Sequence, residues 1–538
     1  MRQRTIKKRE FTNQLIESAH IGNHPMAAAN FLRRTPLNIL MNVTRTVVMA
    51  LVGIMLVPYY IDTLGMASYG IIPLATTMSS YVMILTDSLG SACSRYSTID
   101  IHNREDASDT LSTGFYGILR ICLMLIPLVV LISIASPYVF GIDDNSNSEV
   151  QIMFLLVLSA SLITALTSAY TPVFNAFNTL YNLYAARLVY TIVQVGIIVA
   201  MFSFGTPSLE YVGLAYFVSS LFLIAIVALL AKRAYPVMHM RHSLYDKALF
   251  KKMSALGAGA VMMKIGDMLY ISASLVIINI ILGSEAEAGF AVVSSLVSMI
   301  HTACYSVTTS FEPLIYDCYA DRDDERMAGM MKTGLKFVAL MFALPVAFLI
   351  VFAPEVLTAW VGEERAYLAE IARIALLGDV IYCAVTIMFD IPIAYLKIGK
   401  LARLTLAFGI TNVIGAVCVA TFTDYGVEGV TTVWMLCTLA YMISTLLFDE
   451  RIVGTPRFHF VKPVLFGTAV MLVCAMLLWG LSEIIDLPGS WLHVIPLFFV
   501  LYVIYLLVMF KVLLRKNEKE MASKFLPGQL QRLFAVFM

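Results

Sequence analysis

The chain has 538 residues, of which 59% are hydrophobic and 14% charged, and its mean hydropathy is +0.82. Soluble globular proteins carry about 25% charged residues, so the composition excludes that class and indicates an integral membrane protein. The net charge of +1 leaves no basic surplus with which to attract a nucleic acid, and no nucleic-acid partner is expected.

The chain begins with a polar, basic segment, residues 1–35, which we expect to lie in the cytoplasm. Seven basic residues are found there: Arg2, Arg4, Lys7, Lys8, Arg9, Arg33 and Arg34. One interpretation is a surface helix on anionic lipid, to which each basic residue adds about 1 kcal/mol. The other is a disordered tail that only fixes the orientation of the first span.

After this segment the sequence alternates between long apolar stretches and short polar connections. A helix needs about 20 mostly apolar residues to cross a bilayer, and by that measure about 14 transmembrane helices are predicted. The predicted spans are 37–62, 70–95, 111–138, 151–172, 183–204, 211–231, 255–282, 288–312, 333–353, 367–393, 401–422, 429–448, 461–482 and 492–514.

Charge in the connections predicts the orientation of these spans. Odd-numbered connections are acidic, as at Glu285 and Glu287, and their one basic residue is Arg365. Even-numbered connections and both tails carry the basic residues. Because basic loops stay in the cytoplasm, we expect a multi-pass protein of the cell (inner or plasma) membrane with both termini cytoplasmic.

An internal duplication divides the first twelve spans. Leu64-Gly65-Met66-Ala67-Ser68-Tyr69-Gly70 recurs, one residue longer, as Leu282-Gly283-Ser284-Glu285-Ala286-Glu287-Ala288-Gly289. Five further landmarks, including the pairs Pro172 with Pro392 and Arg187 with Arg403, also recur 216 to 220 positions later. In a membrane chain such a duplication indicates two lobes around a transport path.

The duplication sets the predicted domain organisation of an all-α integral membrane protein with two six-helix lobes and two additional C-terminal helices. The N-lobe is expected over 36–235, with spans one to six, and a cytoplasmic linker over 236–253. The C-lobe follows over 254–450, with spans seven to twelve. Residues 451–538 hold spans thirteen and fourteen and a cytoplasmic tail.

Two sequence runs in the first two spans resemble polysaccharide flippases. They read PYYIDTLGMASYGIIPL from Pro58 and TDSLGSACSRY from Thr86. The matching positions are Leu64, Gly65, Tyr69, Gly70, Asp87, Leu89, Gly90 and Arg95. These flippases belong to the multidrug/oligosaccharidyl-lipid/polysaccharide exporter superfamily, which also contains drug/cation antiporters and lipid II flippases. The basic N-terminus and Ser88 depart from the family pattern.

The resemblance implies a V-shaped pair of lobes that alternates between inward-open and outward-open states. It implies a cargo of prenyl-pyrophosphate-linked oligosaccharide, moved from the cytoplasmic to the outer leaflet for surface polysaccharide biosynthesis. Membrane lipids are expected partners, and a polysaccharide polymerase is a candidate one. Two extra C-terminal spans are similar to the polysaccharide and lipid II branches, whereas drug antiporters usually stop at twelve.

Four basic residues inside odd-numbered spans are the candidates for binding the pyrophosphate. They are Arg45, Arg120, Lys264 and Lys336, and they pair by the duplication offset, Arg45 with Lys264 and Arg120 with Lys336. Facing inward, they would form a cationic floor to a cytoplasm-facing cavity, which suits the charge of a pyrophosphate. The alternative is that these long side chains extend to the lipid headgroups and bind no ligand.

Three intramembrane acids are candidates for coupling or gating. Asp267 follows Lys264 by three residues, the spacing of neighbours on one helical face, so the two form either a neutralised structural couple or a gate. Asp379 lies in the middle of its span and is the best candidate for a protonatable or cation-binding group. Asp87 either packs against Arg95 or Arg45 or takes part in proton coupling. His301 is expected to be an interhelical hydrogen-bonding residue.

The sequence carries no motif for catalysis, so the chain is not expected to be an enzyme. It has no Gly-rich loop ending in GK[ST], no H-E-x-x-H and no C-x-x-C, and neither a cofactor nor a metal site is expected. A flippase is the first hypothesis. The alternatives are a cation-coupled multidrug antiporter, which would favour acidic cavity residues and a twelve-span body, and a non-transporting scaffold for polysaccharide assembly.

Overall fold

A computed structural model describes residues 25–103, 106–140, 147–309, 311–395, 397–485, 487–515 and residue 518. Throughout these ranges the backbone is helical apart from short turns, and it contains no β-strand. An all-helical structure is expected inside a bilayer, because a helix satisfies all of its backbone hydrogen bonds within its own segment. The predicted fold class is therefore confirmed.

The described part of the first half, through the predicted linker, folds into seven α-helices. These are α1 (Pro25–Leu64), α2 (Met66–Asn103), α3 (Ser108–Phe140), α4 (Asn147–Leu166), α5 (Thr171–Ala176), α6 (Leu180–Phe204) and α7 (Leu209–Ala234). Two short 3-10 helices, Thr167–Tyr170 and His242–Leu244, complete this part.

Thirteen α-helices follow in the described remainder. They are α8 (Lys247–Ile271), α9 (Ala273–Leu282), α10 (Ser284–Thr308), α11 (Glu312–Asp321), α12 (Asp324–Val351), α13 (Ala353–Val361), α14 (Leu368–Leu376), α15 (Asp379–Val385), α16 (Asp390–Ala394), α17 (Ile398–Phe422), α18 (Gly426–Val453), α19 (Val461–Ser482) and α20 (Trp491–Val508). Shorter 3-10 turns join some of these, and a π-helical turn, Met509–Leu513, extends α20.

Thirteen helical segments within the described ranges are long and apolar enough to cross a membrane. Each coincides with one of the predicted spans. The remaining predicted span, 70–95, lies in α2, which has 38 residues but is not among these thirteen segments. Thr77, Ser79 and Thr86 of α2 are buried, whereas Ser80 is exposed.

The duplicated glycine motif makes the same one-residue turn in both halves. Gly65 separates α1 from α2 and Gly283 separates α9 from α10, with φ angles of 85° and 96°. An L-residue other than glycine is strained at such angles. The turn explains why α10 begins at Ser284, four residues earlier than the predicted span.

A second duplicated feature is a break near the end of the fourth span of each repeat. Pro172 begins α5 directly after a 3-10 turn, and Pro392 lies in α16 after the 3-10 turn Thr386–Met388. Proline removes a backbone donor and disfavours a continuous helix. The structure therefore carries the same interruption at both positions, whereas α3 and α12 continue through Pro127 and Pro345.

Contacts within the chain group its residues into two compact units. One consists of the residues up to Gly53, together with Met78–Ala135 and Ser148–Ala258. The other consists of Ile54–Thr77, Ser136–Asn147 and the chain from Gly259 onward. The predicted linker lies within the first unit. The lobe boundaries drawn from the duplication stay a prediction.

The turn between α18 and α19 is held by a buried acid, Glu450. Its side chain is 3% exposed, and its two carboxylate oxygens accept hydrogen bonds from the backbone N–H groups of Phe458 (2.9 Å) and Phe460 (2.8 Å). Gly454, with φ of 78°, ends α18 and lets the chain turn toward these donors. Glu450 thus compensates its own burial by two charge-assisted bonds.

We expect Glu450→Ala to lower the free energy of unfolding by about 3 kcal/mol, because hydrogen bonds to a charged group contribute about 1.5–3 kcal/mol each. Glu450→Gln keeps one acceptor oxygen and should cost roughly half as much. Thermal unfolding of the detergent-solubilised protein measures both. Glu428→Ala, an exposed acid on the same helix, is the control; equal midpoints for the two alanine variants would contradict this role.

Candidate substrate and coupling site

Arg45 lies in α1, half-buried, against a tyrosine of the same unit. Its guanidinium carbon is 5.8 Å from the centre of the Tyr184 ring, and Nη1 donates a hydrogen bond to Met49 Sδ at 3.3 Å. The Nε atom is buried without a hydrogen-bond partner. Among the described side chains, no carboxylate forms an ion pair with Arg45.

Arg120, in α3, is held by aromatic residues of the linker. Its guanidinium carbon lies 3.9 Å from the centre of the Tyr245 ring, and Nη2 donates to His242 Nε2 at 3.2 Å. Tyr116 packs edge-on against His242, with 5.2 Å between ring centres. Within the described ranges Arg120 also has no carboxylate partner, and the tyrosine face provides a cation–π contact.

Hydrogen bonds between hydroxyl side chains of α3 and the backbone of the linker hold the segment that carries these aromatic residues. Ser112 Oγ donates to the carbonyl oxygen of His239 and accepts from the N–H of Arg241, both at 3.2 Å. The N–H of Asp246 donates to Thr113 Oγ1 at 3.0 Å. The linker is therefore attached to the first turns of α3, and this attachment positions Tyr245 beneath Arg120.

Lys264 and Asp267 lie one turn apart on α8. Lys264 is exposed and Asp267 is half-buried. The structure forms no hydrogen bond and no ion pair within 4 Å between these two described side chains. Asp267 therefore does not tie up the ammonium group of Lys264.

Lys336, in α12, differs from the other three basic residues because it has an acidic partner. Its Nζ is 2.7 Å from Glu518 Oε2, and the two side chains are 14% and 19% exposed. The ammonium also lies 5.1 Å from the centre of the Phe466 ring. This nearly buried ion pair joins Glu518 to α12, and no pattern in the sequence predicts a contact across 182 positions.

Asp379, at the start of α15, forms a polar cluster with residues of α10 and α18. Its Oδ1 is 3.2 Å from His301 Nε2, and the imidazole stacks on Tyr382 with 3.7 Å between ring centres. Asp379 Oδ2 and Trp434 Nε1 are buried and have no hydrogen-bond partner among the described residues. His301, expected from the sequence to be an interhelical hydrogen-bonding residue, thus contacts the best coupling candidate directly.

These groups line a cavity of about 110 Å³ within the second unit. Its remaining polar lining consists of hydroxyl groups, from Ser272, Ser294, Ser298 and Thr438. A cavity of this size with several polar partners can hold a few water molecules. The chamber therefore presents an acid, an imidazole and an indole N–H to solvent-sized occupants. The side chain of Asp87, the third predicted acid, lies outside the described residues.

Comparisons with known proteins identify a family and a relative of the chain. Residues 37–317, more than half of the chain, match the family described as "Polysaccharide biosynthesis protein". The uncharacterized membrane protein EpsK of Bacillus subtilis (strain 168) is 22% identical over 494 residues, which are 91% of this chain and 97% of that protein.

Two solved structures share the fold. The inward-facing conformation of a multidrug resistance MATE family transporter of the MOP superfamily aligns with a TM-score of 0.65 at 14% identity, over 77% of this chain and 98% of that one. The lipid II flippase MurJ, in an inward closed conformation, aligns with a TM-score of 0.64 at 14% identity, over 88% and 100%. With the sequence match, they lead to one conclusion: the chain is a multi-pass membrane protein that belongs to the polysaccharide biosynthesis protein family.

Proposed function

We propose that the protein moves a prenyl-pyrophosphate-linked oligosaccharide from the cytoplasmic to the outer leaflet of the cell membrane, by alternating access. The family match to polysaccharide biosynthesis proteins and the fold shared with a lipid II flippase support this proposal. Both termini would lie in the cytoplasm, as the charge of the connections predicts. A polysaccharide polymerase would be a partner that receives the cargo on the outer side.

The observation that carries the proposal is what surrounds the guanidinium groups of Arg45 and Arg120. Each guanidinium lies over a tyrosine ring, at 5.8 Å and 3.9 Å from its centre, and neither has a carboxylate partner among the described residues. A positive charge kept inside a membrane segment without a counter-ion is costly and is a functional candidate by default. The planar guanidinium can bind phosphate oxygens through two parallel hydrogen bonds.

Lys264 would add a point charge to this anion site, because it is exposed and forms no ion pair with Asp267. Lys336 is less suited to the task, since Glu518 already neutralises it at 2.7 Å. We therefore propose that Arg45, Arg120 and Lys264 bind the pyrophosphate, and assign to Lys336 the contact with Glu518.

The second unit also offers a place for an apolar chain. A cavity of about 280 Å³ has an entirely apolar lining, which consists of Ile54, Leu296, Met299, Pro345, Phe348, Leu349, Val356, Trp360, Trp491, Val494, Ile495, Phe498 and Phe499. Several of these residues come from α20, one of the two helices beyond the duplication. This cavity suits part of a prenyl chain, because such a chain is apolar and needs no polar contact.

A vesicle assay tests the proposal. A membrane potential of about 100 mV, negative inside, favours outward movement of a doubly charged anion by roughly 4.6 kcal/mol. We expect purified protein in vesicles to translocate a fluorescent prenyl-pyrophosphate oligosaccharide, and to do so faster when the donor side is negative. A matched prenyl glycoside without the pyrophosphate should not move. Equal rates for the two lipids would contradict the proposal.

The runner-up function is a cation-coupled multidrug antiporter. The polar chamber around Asp379 and the fold shared with a MATE family transporter favour it. Arg45 and Arg120 oppose it, because their positive charges disfavour cationic drugs. Expression in an efflux-deficient host separates the two functions: the flippase confers no drug resistance, whereas the antiporter raises the tolerated concentration of cationic drugs.

A further inference from the structure

The two copies of the duplicated glycine motif are in contact with each other. Gly70, in the first turns of α2, lies against the first turns of α10. A Cβ atom at Gly70 would lie 2.3 Å from Glu287 Oε2, 3.0 Å from the carbonyl oxygen of Ser284 and 3.1 Å from Ala288 Cβ. Only glycine therefore fits at this position while the contact is closed.

A second contact joins the same segment, Ile54–Thr77, to the rest of its unit. Trp360 Nε1 donates a hydrogen bond to the carbonyl oxygen of Ile54 at 2.8 Å. In a regular helix this carbonyl would accept from the residue four positions later, but that residue is Pro58, which has no N–H. Trp360 thus satisfies the acceptor that Pro58 leaves open, and the bond can break without disrupting α1.

Glu287 is enclosed at the centre of the glycine contact. It is 0% exposed, and neither carboxyl oxygen has a hydrogen-bond partner among the described residues. A buried ionised carboxylate without a partner costs far more free energy than a neutral carboxyl. Glu287 is therefore uncharged while Gly70 covers it.

The charged and titratable groups at this end of the unit do not compensate Glu287. Glu285 is exposed and faces Tyr367; burial, and then the charge of Glu285, raise the pKa of that phenol, while Arg365 lowers it. Among the described residues, no charged side chain forms a hydrogen bond with either carboxyl oxygen of Glu287. Only the departure of Gly70 would let water reach its carboxyl.

We propose that Gly70 with Glu287, and Ile54 with Trp360, form a latch that closes the outer side of the transport path and takes up one proton from the outer medium. The proposal rests on the alternating access and the orientation given under the proposed function, which place these contacts on the outer side. Outward opening separates the segment Ile54–Thr77 from α10, exposes Glu287 to water and releases its proton.

The latch senses outer pH but supplies no driving force. Glu287 releases its proton outward when the latch opens and takes it up from the same side when the latch closes, so no proton crosses the membrane through it. Since the closed state binds one more proton than the open state, the ratio of open to closed protein rises about tenfold per pH unit, from the pKa of the exposed carboxyl upward. Low outer pH therefore keeps the path closed.

Distance measurements between two spin labels test the latch without any substrate. Asp62→Cys and Glu285→Cys place labels on exposed positions at either side of it, and Cys418→Ala removes the one exposed cysteine, since the other seven are buried. In lipid nanodiscs we expect the short-distance population to dominate at about pH 5.5 and a longer-distance population to grow by about tenfold per unit toward pH 8.

Glu287→Gln keeps the shape of the side chain but cannot ionise, so its distances should not change with pH. Glu363→Gln, which alters an exposed acid, should respond like the parent. Gly70→Ala should show the longer distance even at low pH, because its Cβ collides with Glu287. A full pH response in Glu287→Gln, or none in the parent, would overturn the latch. Failure to move lipid-linked sugar would count against the proposed function alone.

Discussion

Replacing Arg45 and Lys264 together by Gln is expected to abolish export of surface polysaccharide while the protein still inserts into the membrane. Each residue would lose its charge-assisted hydrogen bonds to the pyrophosphate, which contribute about 1.5–3 kcal/mol apiece. Two such losses slow transport by about 10²–10⁴-fold. Arg120→Gln should have a comparable effect to Arg45→Gln, since both arginines lie on tyrosine rings without a carboxylate partner.

The chain offers a matched control for this experiment. Lys336→Gln also removes a positive charge from an odd-numbered span, but Glu518 already neutralises that charge at 2.7 Å. We expect near-normal polymer export from Lys336→Gln. Normal export by the Arg45 and Lys264 double variant, at parental protein levels, would contradict the proposed anion site. Arg45→Lys should retain partial activity, because a lysine keeps the charge but loses the bidentate geometry.

The sequence predicted the helical framework well because two physical constraints act locally. The thickness of the bilayer fixes how long an apolar helix must be, and thirteen predicted spans coincide with thirteen apolar helices in the described ranges. The repeated glycines mark turns that need a left-handed backbone, as Gly65 and Gly283 demonstrate with φ angles of 85° and 96°. Neither constraint depends on which helices, distant in sequence, pack against each other.

The partners of individual charges could not be predicted, because they depend on which helices pack together. Lys336 and Arg120 occupy equivalent positions in the two repeats and were predicted to have the same role. In the structure, Lys336 pairs with Glu518, whereas Arg120 lies on the ring of Tyr245. His301 and Asp379 are 78 positions apart, and only the packing of α10 against α15 joins them.

Glu287 is the clearest departure from the expectation. The predicted spans place it in an acidic connection, where it serves only to mark the outer side of the membrane. The structure instead begins α10 at Ser284 and buries Glu287 completely against Gly70. The burial comes from a contact between the two copies of the glycine motif. Such a contact cannot be predicted from the sequence of one connection alone. The duplicated motif was the available signal, since equivalent segments of a repeat often meet near its symmetry axis.

The second large effect is expected from Asp379→Asn, which should remove the part of transport that depends on a proton gradient. The chamber places an unsatisfied carboxyl oxygen of Asp379 and the Trp434 N–H around a cavity of about 110 Å³. Water can accept from the indole and donate to the acid, whereas a bare metal cation gains nothing from an N–H donor. We therefore expect a proton, carried between His301 and Asp379, to be the coupling ion.

Vesicles with separately imposed proton and sodium gradients measure this effect. One pH unit provides about 1.4 kcal/mol of driving force per coupled proton, which is about tenfold in the equilibrium accumulation ratio. Asp379→Asn should lose this response to the pH gradient while it still responds to the membrane potential. Asp424→Asn, in an exposed loop, should behave like the parent.

His301→Gln identifies the ion, because glutamine preserves a hydrogen bond to Asp379 but cannot carry a proton. If the chamber relays protons, this variant loses the response to the pH gradient. If the chamber binds sodium, Asp379 alone carries the charge, and His301→Gln keeps a sodium response that Asp379→Asn lacks. An Asp379→Asn protein that responds to both gradients like the parent would exclude the chamber from coupling. The membrane potential acting on the charged cargo would then be the only driving force, with the pyrophosphate bound by Arg45, Arg120 and Lys264.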